Sequence, residues 1–257
     1  MRDQGLDHAI RAAGGVSELA RRIGISQPSI SNWNRIPAER VTAVEAATGV
    51  TREMLRPDLY GEAKLADLND ADAARAREYA FLSTLLSRAP DGDLLARIGE
   101  LQADASPLGL AHVALAEAAD NARADRVERE YFDLFIGLGR GELLPYGSYY
   151  LTGFLHERPL ARLRDDLVTL GIERVQGNPE PEDHVAILCE IMAGLIDGRL
   201  AAPQGSDRLV FEKHMKPWVG RFFRDLEHAE AAKFYARVGA VGRVFMEIES
   251  EAFALPS

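Results

Sequence analysis

The sequence predicts an all-α protein: a small N-terminal group of helices followed by a larger helical bundle. Three observations carry this. Apolar residues recur three and four apart in one segment after another, which is the spacing of a helix with one buried face. No segment shows the period-two alternation of a half-buried strand. A polar, weakly periodic stretch over 57–72, PDLYGEAKLADLNDAD, separates the short group from the rest, as a linker does. The expected organisation is a head at 1–60, a linker at 61–71 and a body at 72–257. Charge divides along the same line. Residues 1–60 hold 8 Arg and no Lys against 7 acidic residues, so the net charge of −10 leaves −11 for residues 61–257. Such a body does not attract phosphate backbones and suits a basic partner.

The head reads VSELARRIGISQPSISNWNR from Val16 to Arg35. Leu19, Ala20 and Ile23 give a short apolar face, and Gly24 supplies the residue that tolerates a left-handed turn. Ser26 stands where a second helix would be capped, with Pro28 acceptable in its first turn. Ala20, Gly24, Ile25, Ile30 and Trp33 fall at the offsets of a helix-turn-helix. In that reading the helix from about Gln27 to Trp33 enters the major groove of duplex DNA. Gln27, Ser29 and Asn32 face the bases, since Gln and Asn make bidentate contacts with adenine. Arg21, Arg22 and Arg35 serve phosphates. The same shape also serves as a protein-interaction module. A further helix is expected over Pro37–Gly49.

The body continues in helices from Ala73. Tyr79, Phe81, Leu82, Leu85 and Leu86 form a stripe that ends at Pro90. Leu94–Ala103, Leu108–Ala122 and Asp125–Leu138 follow, the last with Val127, Tyr131, Leu134, Phe135 and Leu138 on one face. Gly137, Gly139 and Gly141 break it, and LLPYGSYYL reads as an extended loop. Helices resume at Phe154–Leu170, Asp207–Asp225 and Ala229–Ala252, the last two carrying Phe211, Met215, Trp218 and Phe222, then Phe234, Val238, Val241, Phe245 and Ile248.

Among these helices lies GNPEPEDHVAILCEIMAGL, residues 177–195. Pro179 and Pro181 suit the start of a helix. Glu180, Glu182 and Asp183 are expected in its first turn, where they complement the helix dipole. Val185, Leu188, Ile191, Met192 and Leu195 form a core face with His184 at its edge. The expectation is an acidic helix mouth with an imidazole half inside the protein. Such acids also serve as ordinary caps.

Four blocks of the body, EYFDLFIGLGRGELLPYGSYYL at 130–151, PEDHVAILCEIM at 181–192, FEKHMKPWVGRFF at 211–223 and KFYARVGAVGRVFMEIE at 233–249, together resemble the TorD/DmsD family. These are cytoplasmic chaperones that mature molybdenum-containing redox enzymes. The resemblance covers residues 75–255, and order and spacing match. Residues 6–60 resemble Cro/YdaS-like heads, which the family does not usually carry. The family resemblance implies a TorD-like bundle that binds the twin-arginine signal peptide and apo form of a molybdoenzyme, of the formate dehydrogenase or sulfoxide/N-oxide reductase type. It implies a site at Asp183, His184, Glu182 and Glu130, with Tyr146 and Ser148 beside them. The tyrosines of that loop serve equally well as core plugs.

An enzyme is not expected. No nucleophile with a base is evident, and GLGRGE at 137–142 lacks the Lys-Ser/Thr of a phosphate loop. Six His and one Cys are scattered without a His-x-x-x-His or Cys-x-x-Cys pair, so neither a metal nor a cofactor is expected. Cys189 reads as a small buried side chain. No apolar run is long enough to cross a bilayer, and the N-terminal MRDQGLDHAIRAAGG lacks an apolar leader. A cytoplasmic protein follows, with a homodimer left open. The competing expectation is a transcriptional regulator whose helical body senses a ligand or dimerises.

Overall fold

The structure, a computed structural model, describes residues 3–56, 70–173 and 180–254. Most of the expected linker at 61–71 therefore lies outside the described residues, as do Gly177 and Pro179. The chain divides into two compact units, Met1–Ala73 with Asp197–Ala201, and Ala74–Ile196 with Ala202–Ser257.

The first unit is made of α1 (Gln4–Ala13), α2 (Val16–Ile23), α3 (Gln27–Ser31), α4 (Val41–Thr48) and α5 (Arg52–Leu55). Asp3 starts α1 by accepting from the Leu6 amide. Gly24 ends α2 at φ 70°, which makes the tight turn into α3 accessible without strain. Leu6, Leu19, Ala20, Ile30, Val41, Val44 and Leu55 form the core, with Ile25 and Trp33 packed on its edge. Ser26 occupies the cap position of α3, but its hydroxyl bonds the Ser29 hydroxyl rather than the backbone.

The second unit begins within α6 (Asp70–Ser87), at Ala74, and continues with α7 (Gly92–Gly99) and α8 (Pro107–Asp120). Then come α9 (Ala124–Tyr131), α10 (Gly147–Thr152), α11 (Arg158–Thr169), α12 (Val185–Ile196), α13 (Ser206–Val210), α14 (Val219–His228) and α15 (Phe234–Ala254). The closest packing is between α14 and α15. A Cβ on Gly242 would fall 2.2 Å from the Phe223 ring, and one on Gly239 2.6 Å from the Glu227 amide, so glycine permits the contact. Tyr79, Phe222, Phe223, Tyr235 and Trp218 fill the interior. Cys189 is buried as expected. Glu249, in the line of the expected apolar face of α15, is wholly buried and accepts from Arg75 Nε (2.7 Å), Arg75 Nη2 (2.9 Å) and the Tyr79 hydroxyl (3.0 Å). Ile248 beside it is 42% exposed instead.

Several boundaries differ from the sequence expectation, each for a local reason. The helix expected over Asp125–Leu138 widens into a π-turn at Phe132–Ile136 and stops at Gly137, whose φ is 62°. The reversal leaves Leu138 97% exposed. The single helix expected over Asp207–Asp225 is two. α13 widens over Phe211–Met215, and Lys216–Trp218 breaks the run at Pro217, which cannot donate. The extended loop LLPYGSYYL contains a helix, α10. Finally, α12 starts at Val185 and not near Pro181, so Glu182 and Asp183 stand in the turn ahead of it. Among the described residues no helix is long and apolar enough to cross a membrane, and no strand forms.

Candidate functional site

Two backbone hydrogen bonds explain why α12 starts late. The Gly147 amide donates to the Asp183 carbonyl (2.9 Å) and the Val185 amide to the Pro145 carbonyl (2.9 Å), pairing 145–147 with 183–185 in an isolated antiparallel bridge. The chain is extended here because its amides are taken by a distant segment, and helix follows once they are free. Asp183 then serves the other segment. Its Oδ2 accepts from the Ser148 amide at 2.7 Å, the side-chain bond that starts α10.

Around this bridge the expected residues gather. Asp183 is 3% exposed, His184 7% and Glu182 8%. His184 is thus more deeply placed than the half-buried position expected of it. Its Nδ1 accepts from the Ala186 amide (3.1 Å), and its ring meets that of Tyr146 edge-on at 5.1 Å. Burial pushes the His184 imidazole below its ordinary pKa, against the opposing pull of Glu180 and Asp183, so it is neutral near pH 7. The Tyr146 hydroxyl donates to Glu180 Oε1 (2.5 Å). Burial, and then that hydrogen bond, raise the Tyr146 phenol. Glu182 pairs with Arg164 of α11 (2.8 Å). The turn carrying Asp183 is therefore pinned from α10, α11 and its own helix.

Glu130 is not a member of this group. It is buried at the start of α15, where its oxygens accept from the amides of Lys233 (2.7 Å), Phe234 (3.3 Å) and Tyr235 (2.6 Å). That is a helix cap supplied by α9.

Two polar atoms of the bridge region are buried and accept or donate no hydrogen bond: Asp183 Oδ1 and Ser148 Oγ. A buried acceptor without a donor is costly. Asp183 lines a cleft of about 460 Å³ between α10 and α11. Leu151, Pro159 and Leu163 give it apolar wall, and Asp165, Asp166, Arg162, Lys213 and His214 give it charge. Asp166 accepts from Lys213 Nζ (3.2 Å) and lies 2.8 Å from His214 Nε2. Burial works against the Asp166 charge, but the bonds to His214 and Lys213 prevail and hold the carboxyl below its ordinary range. Trp218 Nε1 donates to the His214 carbonyl (2.6 Å), fixing the π-turn that carries Lys213 and His214. Sequence reasoning did not single out this wall. The FEKHMKPW block that contains Lys213 and His214 was the available signal; Arg162 and Asp166 carry none.

In the head, Gln27, Ser29 and Asn32 are all exposed, as is Arg35, while Ile30 is buried beneath them. Asn32 sits just past the end of α3, as its C-cap. Arg21 and Arg22 both reach Glu18, at 2.5 and 3.1 Å, and hold its carboxyl at about 2. Arg35 lies 4.0 Å from Asp3. Among the described residues no group of His, Cys, Asp and Glu is placed to hold a metal ion.

Comparison with known proteins adds the following. Residues 101–224 match the family model of the nitrate reductase delta subunit, and residues 6–64 that of the bacterial toxin YdaS. The chaperone protein TorD of Shewanella loihica is 23% identical over 209 residues, covering 72% of this chain and 96% of that protein. The TorD of Aliivibrio fischeri is 23% identical over 206 residues, covering 71% and 96%. The solved structure of a proposed redox enzyme maturation protein from Archaeoglobus fulgidus aligns with 67% of this chain and 93% of its own, at 21% identity and a TM-score of 0.48.

Proposed function

We propose that the helical body is a redox-enzyme maturation chaperone like the TorD proteins it is similar to, and that the cleft at Asp183 receives the twin-arginine signal peptide of a molybdoenzyme before cofactor insertion. The observation that carries this is the half-used carboxylate. Oδ2 is spent on the Ser148 amide, and Oδ1 is buried, without a donor, in a residue that lines the cleft. An arginine brings a fixed fork of donors and a charge that such an oxygen lacks. The net charge of −11 over residues 61–257 favours the approach of a basic peptide. The client is then the apo form of an oxidoreductase of the formate dehydrogenase or sulfoxide/N-oxide reductase type, held in the cytoplasm, and the chain itself performs no catalysis. Titration calorimetry with a signal peptide and its Lys-Lys variant tests the reading. Saturable binding weakened by lysine supports it; no binding of either peptide refutes it.

For the head, the reading is duplex DNA binding that regulates expression. Gln27, Ser29 and Asn32 are each exposed while Ile30 is buried, and each of the three can address base edges. Arg21 and Arg22, held by Glu18, have donors to spare for phosphates. Asn32→Ala should cost about 1–3 kcal/mol at a cognate site and relax its sequence preference. Gel shifts against the gene's own upstream region at low salt would show this, and no shift would count against a DNA role. A protein that shifts DNA but binds no signal peptide would instead be a regulator with a sensing body.

A further inference from the structure

Arg21 and Arg22 stand in the last turn of α2, just ahead of the Gly24 turn into α3. Consecutive residues of a helix point about 100° apart, yet these two guanidiniums meet on one carboxylate. Glu18 lies three positions before Arg21 and four before Arg22, so its side chain reaches both. Arg21 grips it with a fork: Nε donates to Oε2 (2.9 Å) and Nη2 to Oε1 (2.5 Å). Arg22 Nε donates to Oε1 as well (3.1 Å), and its Nη1 is spent on the Ala47 carbonyl of α4 (3.1 Å). The arrangement lies at the surface, with the Arg21 side chain 73% exposed.

A bidentate fork is also how an arginine takes a phosphate, because either anion presents two oxygens to two parallel N–H groups. On Arg21 the Nε–Nη2 fork is already filled from within the head. The charge is offset as well: two guanidiniums with a carboxylate between them carry one net positive charge, not two. A change of pH does not lift the offset, since the hydrogen bonds from Arg21 and Arg22 hold the Glu18 carboxyl at about 2. Another anion can. An exposed ion pair is worth little to a fold, so Glu18 can surrender the arginines without loosening the head.

We infer that Glu18 competes with DNA phosphate for Arg21 and Arg22, and so holds down the sequence-blind part of the head's binding to duplex DNA. This rests on the DNA reading of the head given above and assigns that site a built-in restraint. A phosphate that meets the two arginines must displace the carboxylate or accept the donors it leaves. The cost is the same on every duplex, because phosphates carry no sequence. Base contacts from Gln27, Ser29 and Asn32 offset it only where the bases suit them. Glu18 therefore sets a threshold that a cognate site passes and a random one does not, which suits a head with a net charge of only +1 over residues 1–60.

The test is fluorescence anisotropy with the full chain and two labelled duplexes, one from the gene's own upstream region and one of the same composition scrambled, between about 50 and 200 mM salt. Glu18→Gln is compared with Glu45→Gln, which removes a head carboxylate that holds Arg52 (2.8 Å) rather than Arg21 or Arg22. Both would be checked first for unchanged thermal melting. The expected result is that Glu18→Gln tightens binding of both duplexes by about three- to tenfold at low salt. The fall of log affinity with log salt should steepen by about 0.9, the mark of one more phosphate contact. In a chain that already carries Arg21→Gln and Arg22→Gln, Glu18→Gln should add nothing, because the groups it would release are gone. If the unmodified chain binds DNA and Glu18→Gln binds no tighter, the inference is overturned and the DNA reading stands. An equal gain from Glu45→Gln would also overturn it, since net charge and not competition would then be the cause. If neither the unmodified chain nor Glu18→Gln binds either duplex, both fall.

Discussion

Two buried carboxylates of the body do the same local job and differ in what they leave over. Glu130 and Asp183 each start a helix that belongs to another part of the chain, α15 in one case and α10 in the other. Glu130 spends both oxygens on three amides of one helix mouth. Asp183 spends one oxygen on one amide, and the other is buried without a donor in a residue that borders a cleft. The difference teaches how to sort acidic residues that a family motif presents together. A satisfied carboxylate holds the fold, and a half-satisfied one beside an opening is where a ligand is to be sought. On this measure Glu249, saturated by Arg75 and Tyr79, sides with Glu130.

The comparison would break first on stability. Glu130→Ala should destabilise the body by about 3–5 kcal/mol, since it leaves three amides of α15 without their charged acceptor. Urea unfolding would measure it. A loss under about 1 kcal/mol would mean that water serves those amides and that Glu130 is not the structural member of the pair.

A pH titration sharpens the other side. His184 lies beside Asp183, and burial holds its pKa below the ordinary 6.5. Below that pH the unfolded chain takes up a proton that the folded imidazole refuses. Stability is therefore full above about pH 6.5 and declines as pH falls, by up to about 1.4 kcal/mol per unit for one such site. His184→Asn keeps a side-chain acceptor for the Ala186 amide and should flatten that decline below about pH 6.5. An unchanged slope would show that His184 gains its proton as readily folded as unfolded.

The smallest expected change is in the fold of Asp183→Asn. An asparagine carbonyl oxygen can still accept from the Ser148 amide, so unfolding should shift by less than about 1 kcal/mol. Loss of folding would place Asp183 with Glu130 after all.

What could be seen in the sequence follows from range. Helical faces such as Val185, Leu188 and Met192 are set by local spacing, and all three are buried. The head's Ala20, Gly24 and Ile30 pattern is equally local. Features set by distant partners were misread. The late start of α12 and the helix at Gly147–Thr152 both come from one pairing between segments about 35 residues apart, and neither segment carries a signal for it alone. Glu130 stands in the family block with every appearance of a site residue, because sequence shows that an acid is present and not which amides it meets. The cleft wall was hidden for the same reason: Asp166, Lys213 and His214 come together across 47 and 48 residues.

The most direct measurement is titration calorimetry of unmodified and Asp183→Asn chains with the twin-arginine peptide, alongside Glu130→Gln as a charge-matched control. If the open oxygen of Asp183 receives an arginine, Asp183→Asn weakens binding by roughly ten- to hundredfold, the loss of a charge-assisted bond of about 1.5–3 kcal/mol. Glu130→Gln, once confirmed folded, leaves the affinity unchanged. Equal affinity for the unmodified and Asp183→Asn chains, or a larger loss in Glu130→Gln, would contradict the assignment.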